Sequence, residues 1–219
     1  MIEGIEQTDF GAWVIKGDTH ISAWVKEHRS LNCDPYLFKW LEPRIKDAKV
    51  VWDVGANIGD HTRVYLDWGK DVVAFEPNYF PFQCLYLNCS DAECLMIGLS
   101  DERAKLQFVA SGNVGASFVG NGGTAEINVD VADDMDLPAP DFIKLDIEGY
   151  EMKALIGMEK TLRENMPMLF IEINQGALAR NNATKEQIKD FLRDIGYTSF
   201  TPYPEGVSED AEQYDLFVQ

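Results

Sequence analysis

Six acidic residues stand at or just past the ends of apolar runs: Asp53, Glu76, Asp101, Asp146, Glu148 and Glu172, in the contexts VWDVGANIGDHT, AFEP, LSDE, LDIEGYE and FIEIN. Carboxylates can accept from hydroxyls and amines, attract a cation or take a proton. The first of them is followed by two glycines four residues apart, Gly55 and Gly59, and then by a polar, helix-starting segment with His61 and Thr62. A glycine in such a turn lets the backbone take φ > 0 or approach another group closely. In an open α/β sheet, ligands bind beyond the carboxyl ends of the strands, so acids that recur there would share one cleft.

The crowding of acids selects among ligands. A dinucleotide brings a pyrophosphate to the first turn, which calls for amide N–H groups and the third glycine of GxGxxG. Here Gly55-Ala-Asn-Ile-Gly59 offers two glycines at another spacing, with Asp53 beside them. Two like charges about 4 Å apart cost on the order of 4 kcal/mol at an effective dielectric near 20. S-adenosylmethionine has no phosphate, and its sulfonium and ammonium outweigh its one carboxylate, so a rim of acids complements it. Glu76 lies 21 residues beyond Gly55, close to the roughly 20-residue spacing at which an acid on the second strand reaches ribose hydroxyls. That contact suits adenosine in either cofactor. Plainer readings compete: Asp53 as a helix cap or turn acceptor, Glu76-Pro77 as a simple turn.

These residues need a sheet to hold them. Apolar runs occur at 49–54, 71–77, 94–100, 142–147 and 168–173, alternating with helical patterns. Runs that are apolar on both faces and alternate with helices imply a parallel sheet covered on both sides. Within FIKLDI, Lys144 and Asp146 fall on one face and Ile143, Leu145 and Ile147 on the other. Charges in so apolar a strand are costly unless they face the cleft or each other. Glu151 and Glu172 are candidates to join them, with one of the two pairing with Lys144 as the alternative.

MKALIGMEKTL sets Met152, Leu155, Met158 and Leu162 along one side. The strongest helix signal follows Thr184 and Gln187, which have capping-box spacing, with Ile188, Phe191, Leu192 and Ile195 at helical intervals and Gly196 as the stop. The first 48 residues read as a helical extension after an extended start. Ile21, Trp24, Val25 and His28 form one stripe, and Asp34-Pro35 opens a second helix. Segments 104–110 and 126–132 read as a paired ribbon around the glycine-rich stretch 111–124, and 197–200 with 214–219 as a terminal hairpin. The expectation is a single domain, with 1–48 packed on a core of 49–219.

Composition excludes several classes. The chain has 219 residues, 46% of them hydrophobic, enough for one full-sized core. Its formal net charge of −18 opposes broad contact with nucleic acid or anionic lipid. No apolar run reaches the roughly 18 residues of a membrane span, and MIEGIEQTDF is unlike a secretory signal, so a cytoplasmic chain is expected. Cys33, Cys84, Cys89 and Cys94 fit no zinc spacing and read as reduced thiols. Asp146, Glu148 and Glu172 would be hard ligands for magnesium, but a cationic cofactor accounts for them and no metal is expected. No feature of the sequence speaks to oligomeric state.

Taken together, DVGANIGDHT, FEPN and above all DFIKLDIEGYEMKALIG (141–157) resemble the FkbM family of S-adenosylmethionine-dependent methyltransferases, in order over roughly residues 40–200. The resemblance implies the class I methyltransferase fold: an α/β, Rossmann-like sheet, mostly parallel, seven strands with the last antiparallel. It implies that Asp53, Gly55, Asn57 and Gly59 surround the methionine end of the cofactor, and that His61 and Thr62, at the helix start, meet its carboxylate. By the same resemblance Glu76 takes the ribose, Ser100 and Asp101 flank adenine, Asp146 faces the methionine end and Glu148 lies nearer the acceptor. Helix-surface placement competes for His61, and a turn for Ser100 and Asp101. The implied activity is methyl transfer to a hydroxyl of a sugar, glycan or small natural product, with Glu148 or His61 as the base. Segments 1–48 and 111–124 would choose the acceptor; Trp13, Trp24 and Trp40 read as packing residues, with stacking on a sugar ring as the alternative. A nicotinamide-dependent oxidoreductase and a non-catalytic cofactor-binding subunit are the rival readings.

Overall fold

The computed structural model describes residues 4–109, 118–119, 123 and 125–219; most of the glycine-rich stretch 111–124 lies outside them. The chain opens with a hairpin, β1 (Ile5–Gln7) and β2 (Trp13–Ile15), then α1 (Ile21–His28) and α2 (Pro35–Leu41). Asp34 caps α2 by accepting from the Leu37 amide at 2.8 Å, as the Asp-Pro pair predicts. The alternation follows: β3 (Val50–Val54), α3 (Asp60–Asp67), β4 (Asp71–Phe75), α4 (Tyr79–Asn88) and β5 (Glu93–Leu95). Next come β6 (Gly98–Leu99), β7 (Ala104–Val109), β8 (Phe118–Val119), β9 (Ala125–Asp130), β10 (Phe142–Leu145), α5 (Glu151–Gly157) and α6 (Glu159–Asn165). The chain closes with β11 (Met168–Asn174), α7 (Gln175–Arg180), α8 (Lys185–Ile195), β12 (Phe200–Tyr203) and β13 (Gln213–Val218).

Seven strands form the main sheet in the order β12-β13-β11-β10-β3-β4-β5. Neighbours from β11 to β5 are parallel, and β13 runs antiparallel to both β11 and β12. This is the class I methyltransferase arrangement. Side chains alternate across it: Trp52, Val54, Ile143, Leu145, Ile171 and Ile173 meet α5, α6 and α8 on one face, while Val51, Phe142, Phe170 and Phe217 meet α2, α3 and α4 on the other. The sheet is thus covered on both sides, as its double-faced apolar runs require. The capping box at Thr184 and Gln187 opens α8 in both directions.

Two elements differ from the sequence expectation. The run 94–100 divides into β5, which ends the main sheet, and β6, which turns away to pair with β9 in a four-stranded second sheet, β6-β9-β7-β8. Gly98 fits this turn because a β-carbon there would press on the Val129 side chain at 3.2 Å and on the Pro77 ring at 3.5 Å. The helical pattern 152–162 divides into α5 and α6 at Met158, whose backbone leaves the helical region at φ −121° and ψ 19°. Asp133 accepts from the amides of Lys160 and Thr161 and so provides a new N-terminal anchor there.

Trp40 packs among Phe170, Tyr203 and Phe217, and His28 stacks on Trp24 on the outer side of α1. All three of Trp13, Trp24 and Trp40 serve as packing residues. No helix among the described residues is long and apolar enough to cross a membrane.

Candidate active site

Beyond the carboxyl ends of β3, β4 and β10 lies a cleft of about 890 Å³. Its polar lining comes from Asn57, Asp60, His61, Glu76, Lys144, Asp146 and Glu148. Its apolar lining includes Phe75, Pro77, Pro81, Leu99, Ile127 and Val129, the last two supplied by β9.

The turn after β3 makes the floor. Gly55 takes φ +84°, and a β-carbon there would overlap the Asp146 carbonyl oxygen. Only glycine lets the two strand ends lie so close. Gly59, at φ +91°, begins α3 where a β-carbon would fall 2.7 Å from the Cys89 sulfur, so its smallness serves the packing of α3 on α4. Between them Asn57 is held at φ 50°, and its amide donates to Glu76 Oε2 at 3.0 Å. The Asn78 amide donates to Glu76 Oε1 at 2.8 Å. Two backbone donors thus fix this carboxylate at the rim, and burial pushes it up to about 7. The Asn57 side-chain carbonyl is buried in the same turn without a donor among the described residues.

Behind the floor sits a cross-strand ion pair. Asp53 and Lys144 are register partners on β3 and β10, and both are buried. Lys144 Nζ donates to the Gly55 carbonyl at 2.9 Å and lies 3.3 Å from Asp146 Oδ2 and 3.7 Å from Asp53 Oδ1. Burial works against its charge, but Asp146, Asp53 and Asp60 outweigh it and hold the ammonium above the ordinary lysine range. Thr62 donates to Asp53 Oδ2 at 2.6 Å. Burial raises Asp53, with Lys144 and Thr62 pulling the other way.

On the opposite wall Asp60 is buried and pushed up to about 7. His61 lies beside it, Nε2 at 3.9 Å from Asp60 Oδ2 and Nδ1 at 3.3 Å from the Tyr65 hydroxyl. The Phe38 ring meets the imidazole edge-on at 4.8 Å. Burial, and then the Lys144 charge, hold His61 well below the ordinary histidine range, so it is neutral at pH 7.

The rim formed by Asp146, Glu148 and Glu172 is the most acidic. Glu148 adopts φ 57°, a left-handed turn unusual for a non-glycine residue. Burial, then Asp146 and Glu151, push its carboxylate up to about 7. Glu151 accepts from the amides of Ile147 and Gly149 at 3.0 and 3.1 Å and so shapes that turn from below. Glu172 accepts from Gln213 at 2.7 Å, and burial followed by the charges of Asp146 and Glu148 raises it to about 10.

The comparisons with known proteins agree with this geometry. Residues 53–199 match the model of the methyltransferase FkbM domain. The chain is 30% identical over 158 residues to the hexuronic acid methyltransferase AglP of Haloferax volcanii, covering 68% of this chain and 65% of that protein.

The chain belongs to the FkbM methyltransferase family.

Its fold is similar to that of methyltransferase FkbM from Methylobacillus flagellatus KT, with a TM-score of 0.58 at 22% identity over 79% of this chain and 44% of the other. It is also similar to magnesium protoporphyrin IX methyltransferase from Synechocystis PCC 6803, with a TM-score of 0.52 at 11% identity over 91% and 83% of the two chains. S-adenosyl-L-methionine is the cofactor that membership carries with it. The nicotinamide reading is set aside.

The FkbM chain brings some of the sequence-selected residues together and leaves others out. Gly55, Asn57, His61, Glu76, Asp146 and Glu148 line the cleft. Asp53 and Thr62 bond to each other beneath the floor, and Gly59 packs against α4. Ser100 and Asp101 are turned away from it: Ser100 is buried against Gly157, and Asp101 pairs with Lys153 at 3.2 Å. Lys144 pairs with Asp146 and Asp53, in place of Glu151 or Glu172. Asp60 also lines the cleft, but its sequence position carries no distinct signal, because an acid in the first turn of a helix reads equally as a dipole partner. The β9 wall left no signal, because its apolar residues look like ordinary ribbon packing.

Proposed function

We propose that the chain is an S-adenosylmethionine-dependent O-methyltransferase whose acceptor is a hydroxyl of a sugar or glycan. The observation that carries this reading is the cleft itself: Glu76 fixed by two amides at one end, and Asp60, Asp146 and Glu148 around the other. The sugar class draws support from the hexuronic acid methyltransferase of Haloferax volcanii. On this reading 49–219 form the methyltransferase domain, and 1–48 pack on it as an extension that borders the acceptor side through Phe38.

When bound, the cofactor supplies an electrophilic methyl group on a sulfonium, which goes to the acceptor oxygen as the sulfur–carbon bond breaks and its electron pair returns to sulfur. Glu76 would accept from the ribose hydroxyls, and Leu99, Ile127 and Val129 would lie against the adenine. The Asn57 carbonyl, Asp60 and Asp146 face the cationic methionine end, while Asp53, Thr62 and Lys144 hold the floor that positions them. Lys144 keeps the acid group from carrying its full charge.

His61 takes the acceptor's proton. In the tautomer whose Nδ1–H donates to Tyr65, Nε2 keeps its lone pair, and Asp60 beside it offsets part of the burial and the Lys144 charge that work against the imidazolium. Such a base contributes on the order of 10²–10⁴-fold; alignment within a closed cleft contributes more, about 7–11 kcal/mol. Glu148 is left to position the acceptor. The test is transfer of labelled methyl from S-adenosylmethionine to a panel of neutral sugars, uronic acids and phenols. Label on a sugar oxygen, reduced about 100-fold or more in His61→Ala, is the expected result; label on phenols alone would refute the sugar class.

A further inference from the structure

We infer that Asp146, Glu148 and Glu172 form a binding site for one divalent cation of the magnesium or manganese class at the acceptor end of the cleft. One carboxylate oxygen from each residue lies within 4.8 Å of the others. A hard cation with metal–oxygen distances of about 2.0–2.6 Å sets opposite ligands roughly 4.0–5.2 Å apart and adjacent ones closer. Three oxygens so placed can therefore share one ion.

The crowding alone would not indicate a ligand, but the state of Glu172 does. It is only 8% exposed, one of its oxygens takes the Gln213 amide, and the other, Oε2, is buried with no partner among the described residues. Its register partner across the sheet is Asp215, another acid. Behind the site Glu151, 1% exposed, also has a buried oxygen with no partner among the described residues. Orphaned buried carboxylate oxygens are costly, and a divalent cation gives them a partner. Lys144 reaches Asp146 Oδ2 from the floor, leaving Asp146 Oδ1 for the cation.

Three protein oxygens leave positions that magnesium fills with water or with the oxygens of a bound molecule. Adjacent oxygens of a polyol would take two of them. Cation binding stands apart from the methyltransferase reading; its use in holding the acceptor rests on it.

The test is titration of the chain with MnCl2, followed by electron paramagnetic resonance at physiological ionic strength, where diffuse attraction to an acidic surface is screened. S-adenosylhomocysteine is titrated into the same sample by calorimetry. The expected result is one saturable manganese ion per chain, displaced by MgCl2 and weakened on the order of 10- to 100-fold in Glu172→Gln and in Glu148→Gln. Manganese should raise the melting temperature of the parent and not of the variants. Glu172→Gln keeps the side chain's shape and an oxygen for Gln213, and Glu148 is partly exposed, so both variants should melt cooperatively. No saturable manganese, or binding unchanged in both variants, would overturn the site. Manganese binding without homocysteine binding would support the site and remove the methyltransferase reading; the reverse would do the opposite.

Discussion

Lys144 and Asp53 face each other across β3 and β10, and the whole floor of the cleft depends on that pair. Replacing Lys144 by Met leaves Asp53 and Asp146 buried or half-buried without their counter-charge. Breaking one partner of a buried pair costs about 3–5 kcal/mol, so Lys144→Met should lower the unfolding free energy read from a denaturant titration by that amount. Glu76 gives a prediction in pH. Burial raises it from 4.5 to about 7, so the folded chain holds an extra proton between these values and this group's contribution to stability falls as pH rises through that window. Its ionised form is the one that accepts two ribose hydroxyls. Affinity for S-adenosylhomocysteine should therefore rise steeply with pH up to roughly pH 7 and level above it; calorimetry of Glu76→Gln should give a shallower profile, its remaining slope belonging to Asp60, which is also pushed up to about 7. At this scale the sequence was legible where a residue type and a spacing coincide, as at Gly55 and Glu76. It was not legible at Glu148, because a left-handed backbone at a glutamate follows from the packing of the turn on Glu151 and carries no local signature.

The elements repeat this division. The Gly55 turn, the Asp34 cap and the α8 capping box follow from local chemistry and were readable. Thr184→Ala should cost about 1 kcal/mol in a denaturant titration, because the Gln187 amide loses its acceptor. Gly55→Ala should cost more. The φ of +84° alone is worth about 1–3 kcal/mol, and the added carbon meets the Asp146 carbonyl, so cofactor binding should fall along with stability. The break between β5 and β6, and that between α5 and α6, were not readable from periodicity. Both are set by distant partners: β9 recruits β6, and Asp133 caps α6. The same distance explains why Ser100 and Asp101 matched the adenine segment in sequence but turn toward α5 in space.

At the scale of the whole molecule, the extension and the cleft are joined by one amide. Asn88, at the end of α4, accepts from the Trp13 amide at 2.7 Å and donates to the carbonyls of Trp13 at 2.9 Å and Ile58 at 2.8 Å. It ties β2 to the turn between the two glycines. Asn88→Ala should cost about 1–3 kcal/mol and weaken cofactor binding, although Asn88 lies outside the cleft; melting curves with and without S-adenosylhomocysteine would show both effects. A mostly parallel sheet covered on both faces, with a cleft beyond its strand ends, was legible from the alternation of apolar runs; the antiparallel last strand came from the family resemblance, and the strand order was not legible. The central claim is that the acidic cleft holds S-adenosylmethionine by its ribose and its cationic end. Calorimetric titration of S-adenosylhomocysteine into the parent and Glu76→Gln tests it most directly. One site per chain in the parent, weakened at least about tenfold in the variant, is the predicted result; no binding, or equal binding in both, would contradict it.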